Sequence, residues 1–318
     1  MSMAQLAETR TVFRTVKRHR SAMARREALV AYILLLPWIV GFVCFVAGPI
    51  LASLFLSLTQ YNIAQPPQFV GLSNYVQAFT NDPLFWGSLE RTFVYAIVVV
   101  PLGVGGALLV AILLNQGLRL TSIYRALFFL PHLTPFVAAV FIWEWLLDPT
   151  FGLINNVIFA VSHSLGPGWL TSPDWAMPAL ILIAFWAIIG GDMMLIFLAG
   201  LQGVPTELYE VASLDGAGRW RRFWNITLPM ISPTLFFNSI LAIIGALQTF
   251  TTAFVATQGG PSYATYFYAL HIYNTAFSYT EMGYASALAW IFFIVLIVFT
   301  YIQFRASHHW VYYAGEVK

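Results

Sequence analysis

A few polar residues stand inside stretches that are otherwise apolar, and their types limit the chemistry open to this chain. Asp192 lies in the run WAIIGGDMML, and an ionisable side chain at membrane depth normally faces a cavity or a partner. Gln248, Thr249 and Thr251 follow in the run ALQTFTT. Amides and hydroxyls are neutral donors and acceptors, which suits them to sugar hydroxyls. We predict a substrate pathway at Asp192, Gln248, Thr249 and Thr251.

Two structural alternatives remain open for these residues. Asp192 would also serve as a hydrogen-bonding post between helices, and polar contacts between helices would explain the threonines equally well. A third alternative makes Asp192 and Glu144 the relay of a stand-alone, proton-coupled transporter.

Familiar catalytic patterns are absent from the sequence. The two lysines, Lys17 and Lys318, do not follow a glycine, so the phosphate-binding pattern G-x-x-x-x-G-K-[ST] cannot occur. No histidine has a Cys or carboxylate at metal-ligand spacing, and no G-x-S-x-G elbow is present. We therefore expect a chain that is not an enzyme and holds no metal or cofactor of its own.

The composition indicates an integral membrane protein. The chain is 59% hydrophobic and 9% charged, with a mean hydropathy of +0.76. About 20 apolar residues are needed to cross the hydrocarbon core as a helix. Every span must satisfy its backbone internally, so the expected fold is an all-α membrane bundle. Six runs qualify, at about 29–58, 92–115, 123–147, 176–200, 229–256 and 283–304.

The distribution of cations predicts the orientation. If both termini are cytoplasmic, all 15 Lys and Arg residues except Arg91 fall on the inner side, as the positive-inside rule requires. The net charge of +2 then reflects topology, and we expect no nucleic-acid partner. The apolar run from Ala28 is too long for a signal peptide and lacks a small-residue cleavage site. The multi-pass chain is therefore predicted to reside in the cell membrane.

The segments outside the spans are short. Residues 1–27 form a basic cytoplasmic arm suited to an anionic lipid surface, residues 28–305 the six-helix domain, and residues 306–318 a cytoplasmic tail. The outer connection at 59–91 predicts a short interfacial helix that carries Tyr75, Phe79, Phe85, Trp86 and Leu89. Gly259-Gly260-Pro261 predicts a turn at the outer mouth.

The inner loop ELYEVASLDGAGRWRRFWNITLP, residues 207–229, predicts a helix, a sharp turn and a second helix. Thr206 is the expected cap of the first helix, with Glu207 and Glu210 in its first turn. Asp215-Gly216 is the turn signal. In the second helix Trp220, Phe223 and Trp224 form an apolar face opposite three arginines, and Pro229 is expected to open the next span. An ordinary amphipathic connector anchored by tryptophans fits the same pattern.

The spacing E-V-A-x-x-D-G-A, with nine residues between Gly216 and Ile226 of a following I-x-L-P, closely resembles the loop of membrane subunits of binding-protein-dependent ABC importers. The resemblance implies that this loop, about 203–228, is a cytoplasmic coupling helix that docks on a separate ATPase, which alone carries ATP and Mg²⁺. Val211 departs from the usual alanine. The residues implied in ATPase coupling are Glu207, Glu210, Ala212, Asp215, Gly216 and Ala217.

Further stretches are similar to the carbohydrate-uptake branch of this family. They include residues 124–155, FLAGLQGVPTELYE, TQGGP and MGYASALAW, and the resemblance covers about 30–305. It implies the first of two permease subunits in a heterodimer, served by ATP-binding subunits and an extracytoplasmic substrate-binding protein. Asp192, Thr249 and Thr251 match positions that line the sugar site in maltose-type permeases, although the residue types differ.

These observations predict a permease subunit of an ATP-driven importer for a sugar or oligosaccharide. An importer for glycerol-3-phosphate or another polyol is the alternative within the class. A phosphorylated substrate would favour cations in the pathway, and the sequence places none in the middle of a span. The stand-alone proton-coupled transporter is the alternative from another class.

Overall fold

The computed structural model describes residues 22–117 and 119–312. The chain divides into two compact units, residues 1–53 and 54–318. The described part of the first unit is helical throughout. Most of the predicted arm, residues 1–21, and the end of the predicted tail, residues 313–318, lie outside the described residues.

By length and composition the described residues contain six candidate membrane spans if each bent helix pair counts as one, in agreement with the predicted number. Four helices are long and apolar enough to cross a membrane: Arg26–Ser57, Phe85–Leu114, Ser232–Ala256 and Met282–Ser307. Two further spans are bent pairs. Thr121–Leu133 and Phe136–Leu146 meet at 94°, and Pro173–Ile189 and Asp192–Gln202 at 43°.

The helices and strands follow in a simple order along the chain. The first half contains α1 (Ala22–Phe42), a π-helical turn (Val43–Ala47), α2 (Gly48–Ser57), β1 (Thr59–Gln60), β2 (Gln68–Phe69), α3 (Ser73–Thr80), α4 (Phe85–Leu114), α5 (Thr121–Leu133), α6 (Phe136–Leu146) and α7 (Leu153–Ser162). The second half contains α8 (Pro173–Ile189), α9 (Asp192–Gln202), α10 (Thr206–Leu214), α11 (Arg219–Arg222), a π-helical turn (Phe223–Thr227), α12 (Leu228–Met230), α13 (Ser232–Leu247), α14 (Thr251–Ala256), α15 (Tyr268–Tyr273), a π-helical turn (Asn274–Ser278) and α16 (Met282–Ser307).

Helix α4 lies at the centre of the second unit, where it packs against α8, α9 and α13. Glycines allow this close approach. A Cβ built on Gly103 would lie 2.9 Å from Ile188 Cγ2, and one on Gly106 would lie 2.8 Å from Phe185 Cε2. Small residues at helix crossings are the usual solution in membranes, where lipid removes the hydrophobic drive between helices.

The outer connection forms a small cap. Strands β1 and β2 pair antiparallel, with Thr59 opposite Phe69. Asn74 of α3 donates its side-chain amide to the carbonyls of Ser57 and Thr59, at 2.8 and 2.9 Å. The predicted interfacial helix exists as α3.

The prediction was wrong for the second half of that helix. Phe85, Trp86 and Leu89 belong to the first turns of α4, which begins seven residues before the predicted start of the span at 92. The reason is packing: Phe85 is completely buried and makes an edge contact with Tyr268 at a ring-centre distance of 5.7 Å.

A buried polar network ties the outer connections together. Asp82 Oδ2 accepts hydrogen bonds from Tyr284 at 2.6 Å and from His271 Nε2 at 2.8 Å. Its Oδ1 accepts the backbone N–H groups of Leu84 and Phe85. The side chains of His271 and Asp82 are 4% and 8% exposed. One carboxylate therefore joins three parts of the chain that are distant in sequence.

The charge on Asp82 is favoured by its surroundings. Burial raises the pKa of its carboxyl group, but the hydrogen bonds from Tyr284 and the Leu84 N–H and the proximity of His271 together hold the pKa below its ordinary value of 3.8. Because the folded-state pKa is the lower one, this stabilisation is present above the unfolded pKa and is lost as the pH falls through the folded pKa.

In the described chain, regular structure or packing extends beyond both predicted domain boundaries. Helix α1 already begins at Ala22. Past Ser307, Trp310 contacts Phe236 at a ring-centre distance of 6.0 Å, Val311 is buried, and the Tyr312 N–H donates to Ser232 Oγ at 2.8 Å. The segment boundaries near 27 and 306 stay predictions.

Replacing Asp82 tests the network. In Asp82→Asn an amide donor faces the donors of His271 and Tyr284, so we expect a loss of about 1.5–3 kcal/mol, the range for hydrogen bonds to a charged group. The melting temperature of the purified chain should fall, and its decline at acid pH should become shallower. The control is Asp148→Asn, because Asp148 makes its hydrogen bonds with Thr150 and Phe151 at an exposed site. Equal melting temperatures for the two variants would contradict the stabilising role.

Candidate functional site

A cavity of about 490 Å³ lies between α4, α8, α9, α13 and the start of α14. This volume is in the range of small-molecule sites. The structure brings all four predicted pathway residues to its wall: Asp192, Gln248, Thr249 and Thr251. Their contact with a substrate stays a prediction, but their proximity is a feature of the fold.

Interruptions of three spans border this cavity. Span three is broken between Leu133 and Phe136, span four between Ile189 and Asp192, and span five between Leu247 and Thr251. Phe136, Asp192 and Gln248 to Thr251 all line the cavity. Non-helical backbone at membrane depth is tolerated where it is buried in protein or lines a water-filled cavity. We therefore predict that this cavity is filled with water.

The break in span four depends on two glycines. A Cβ on Gly190 would collide with the carbonyl oxygen of Phe128, and one on Gly191 would lie 2.9 Å from His132 Nδ1. The pair lets α5 approach the start of α9. Asp192 is consequently the first residue of a helix at the break, rather than a residue inside a continuous span.

His132 is the partner that the sequence analysis missed. Its Nε2 lies 3.3 Å from Asp192 Oδ2, and the two side chains are 41% and 71% exposed. An exposed pair of this kind contributes about 0–1 kcal/mol to stability. The pair therefore leaves Asp192 accessible to a ligand. A histidine bracketed by prolines in LPHLTP, inside an apolar run, was the available signal.

The break in span five presents polar groups in another way. The Gln248 N–H still donates to Ile244 O at 3.1 Å, but the Thr249 N–H turns to Ala246 O at 3.3 Å. Helical bonding resumes with Phe254 N–H to Phe250 O at 2.9 Å. Thr249 lines the cavity together with Tyr95 of α4.

The rest of the wall is mainly apolar and aromatic, and no Lys or Arg of the described chain lines it. Tyr95, Phe136 and Phe250 offer ring surfaces, and Asn238 adds an amide. Glu144 does not line the cavity, so the relay of Asp192 with Glu144 gains no support. The arrangement suits a neutral, hydroxyl-bearing ligand with apolar ring faces.

The coupling loop has the predicted helix–turn–helix form, and its turn is a Schellman motif. The Ala217 N–H donates to Ala212 O at 2.9 Å, and the Gly216 N–H donates to Ser213 O at 3.1 Å. Gly216 has a φ of +71°, in the left-handed region that favours glycine. Asp215 ends the helix before it. The pattern D-G-A is therefore explained by the way α10 stops.

Side-chain bonds fix the two helices of the loop to each other. The hydroxyls of Tyr209 and Thr227 lie 2.9 Å apart, and Arg222 Nη1 donates to Ser213 Oγ at 3.1 Å. On the exposed face of α10, the side chains of Val211 and Leu214 are 59% and 88% exposed. The loop is a braced element that presents apolar side chains, as a docking surface would.

Two details of the loop prediction were wrong. Thr206 is the first residue of α10 rather than its cap, and no side chain caps this helix, because Pro205 holds the cap position and its side chain cannot accept a hydrogen bond. Pro229 lies within the short α12, and the long helix begins at Ser232 with Pro233 in its first turn. A step at Ile231, where ψ is 4°, separates the two helices.

The family model for the binding-protein-dependent transport system inner membrane component matches residues 103–311. The lactose transport system permease protein LacF of Rhizobium radiobacter is 33% identical over 91% of this chain and 97% of its own length. The sn-glycerol-3-phosphate transport system permease protein UgpA of Yersinia pestis is 34% identical over 86% of this chain and 92% of its own length.

The fold is also that of a solved transporter chain. A bacterial alginate ABC transporter, crystallised in complex with an alginate pentasaccharide-bound periplasmic protein, superposes with a TM-score of 0.81. The two chains are 22% identical, and the match covers 91% of this chain and 98% of the other. The likeness shows that the arrangement of helices described above is a shared fold.

Thiol labelling tests whether the cavity is aqueous. Gly245 lines it, and a Cβ there would meet nothing within 4 Å. With Cys44 replaced by Ser, we expect Gly245→Cys to react rapidly with a membrane-impermeant methanethiosulfonate. The control is Ala107→Cys, because Ala107 is completely buried on α4 and should react at least about tenfold more slowly. Equal rates at the two positions would contradict an aqueous cavity.

Proposed function

This chain belongs to the family of binding-protein-dependent transport system inner membrane components, and we propose that it forms one half of a sugar-translocation pathway. As a permease subunit of an ABC importer it is a transport protein and not an enzyme, and a partner chain hydrolyses the ATP. The proposal concerns the substrate class, the partners and the role of each site.

The observation that carries the sugar proposal is the cavity at the three helix breaks. It combines one carboxylate, neutral amides and hydroxyls, and aromatic rings, and it has no cation among the described residues. Hydroxyl-bearing rings need such groups, because each buried sugar hydroxyl must find a partner while its apolar faces are covered. The resemblance to a lactose permease supports the same substrate class.

A phosphorylated polyol is the second candidate, because a glycerol-3-phosphate permease is about as similar as the lactose permease. The chemistry of the cavity weighs against it. Phosphate recognition uses Arg, Lys or backbone N–H clusters, whereas Asp192 would repel a phosphate group. A neutral sugar is therefore the better-supported substrate.

The partners follow from what this chain lacks. The cavity is open beside Asp192, and a second permease subunit in a heterodimer would close it. ATP and Mg²⁺ would reside on ATP-binding subunits that receive α10 and the turn at Gly216. An extracytoplasmic binding protein would deliver the sugar. Both termini and the coupling loop would be cytoplasmic, because the loop carries Arg219, Arg221 and Arg222.

Purification of the native complex tests this proposal. With an affinity tag at the C terminus and gentle solubilisation, we expect a nucleotide-binding protein and a second polytopic subunit in stoichiometric amounts. ATP hydrolysis by that complex should rise when a sugar-loaded binding protein is added. Neutral sugars should compete with labelled sugar uptake, and phosphorylated polyols should not. Stronger competition by glycerol-3-phosphate would replace the sugar proposal with the polyol one.

The turn at Gly216 tests the coupling role. A β-branched residue in the left-handed region costs about 1–2 kcal/mol, and nothing lies within 4 Å of a Cβ at this position. The cost therefore falls on the turn and not on packing. We expect Gly216→Val to keep the complex assembled but to lower uptake per ATP hydrolysed by about tenfold.

The matched controls for that variant are Gly216→Asn and Gly218→Ala. Asn tolerates the left-handed region, and Gly218 has an ordinary φ of −67° with nothing within 4 Å of a Cβ. Both should keep uptake within about twofold of the unchanged chain. Normal coupling in Gly216→Val would contradict the lever role, whatever its effect on stability.

A further inference from the structure

A second cavity, of about 460 Å³, lies next to the coupling loop. It shares no lining residue with the cavity at the three helix breaks. The end of α4, the end of α9 and the two helices of the loop enclose it. We call it the basic cavity. Its polar wall is formed by Asn115, Gln116, Tyr209, Arg219, Arg222 and Thr227.

The polar groups of the basic cavity are mainly hydrogen-bond donors, and two of them carry positive charge. Arg219 and Arg222 line it together, and neither forms an ion pair with an Asp or Glu of the described chain. Arg222 gives one N–H to Ser213 Oγ, which leaves most of its five donors for another acceptor. Two guanidinium groups without a counter-charge, beside two amides, match the oxygens of a phosphate group.

The surroundings indicate the source of the phosphate. Trp220 and Trp224 lie on the same helical segment as the two arginines and are 73% and 49% exposed. Trp220 stacks on Phe223 and meets Trp224 edge to face. Exposed tryptophans mark the level of the lipid headgroups. Basic pockets between helices at that level are suited to anionic headgroups.

We propose that the basic cavity binds the headgroup phosphate of an anionic phospholipid through Arg219 and Arg222. Tyr209 and Thr227, whose hydroxyl contact braces the coupling loop, belong to the same cavity wall. A bound headgroup would therefore hold the two helices of the loop in a fixed relation. This consequence for coupling rests on the proposed function, whereas the binding itself does not.

Native mass spectrometry of the full chain, washed free of lipid in detergent, tests the site. The probes are phosphatidylglycerol, phosphatidylcholine with the same acyl chains, and inorganic phosphate. We expect one tightly retained phosphatidylglycerol per chain, with at least tenfold weaker retention of phosphatidylcholine. The double variant Arg219→Gln with Arg222→Gln should lower the apparent affinity for phosphatidylglycerol at least tenfold.

Two matched variants separate this site from general surface charge and from misfolding. Arg221 lies between the two arginines but does not line the cavity, so Arg221→Gln should change the affinity less than twofold. Arg219→Lys with Arg222→Lys keeps the charge and should keep the preference for phosphatidylglycerol. An equal loss in Arg221→Gln, or no preference between the two lipids, would overturn the proposal.

Two further outcomes would assign the site to another ligand and likewise overturn the proposal. Inorganic phosphate that binds alone and displaces the lipid at equal affinity would make it a free-phosphate site. If the double Gln variant keeps its lipid but no longer co-purifies with an ATPase subunit, the arginines bind a carboxylate of that partner. If the double Gln variant loses its lipid while assembly and uptake stay unchanged, the cavity binds lipid but the proposed coupling does not depend on it.

Discussion

Every backbone N–H and C=O group inside a membrane must find a partner, and this requirement governs the second unit of the chain. Uninterrupted helices such as Phe85–Leu114 and Met282–Ser307 meet it alone. Three other spans do not, and all three interruptions face one cavity. The breaks thus require the cavity, because it accommodates backbone groups that have no helical partner. Residues at the breaks in turn form its polar wall. Fold and candidate site are two aspects of the same constraint.

Close packing on one side of the cavity makes the open side possible. Helix α4 contacts α8 at Gly103 and Gly106, where the side chains of Ile188 and Phe185 pack directly against the glycines. Gly190 and Gly191 permit a similar approach between α5 and the start of α9. Close contacts therefore hold the helices together on this side of the cavity, while Asp192 and His132 remain substantially exposed. An accessible polar rim beside closely packed helices suits a site that a second subunit would complete.

The sequence predicted the features that depend on local chemistry. Six apolar runs were visible because hydrocarbon imposes a minimum length, and Gly216 was visible because few residues accept a left-handed turn. The four pathway residues stood out as polar groups among apolar ones, and they do share a wall. The bend of 94° at Thr134 and Pro135 was not foreseen, although Pro135 lies in the run. A proline shows where a helix can break but not the direction in which the chain continues.

Pairs between distant segments escaped the sequence analysis for a different reason. Asp82 and His271 lie in separate outer connections, and His132 and Asp192 in separate spans. No periodicity relates such residues, because their proximity is a consequence of the tertiary packing. The same holds for Phe85, which was assigned to a surface helix and is buried by Tyr268.

In the proposed pathway the cavity must face the two sides of the membrane in turn, and the bonding pattern indicates which parts can move. Hydrogen bonds brace the coupling loop internally, and the Asp82 network braces the outer connections. Each of the three breaks lies between helical segments that are regular in themselves. If the coupling loop moves, the spans should therefore bend at the three breaks, because the regular series of helical hydrogen bonds is already interrupted there. Because a ligand shifts a conformational equilibrium only through different contacts in the two states, the substrate should be sensed at those same breaks.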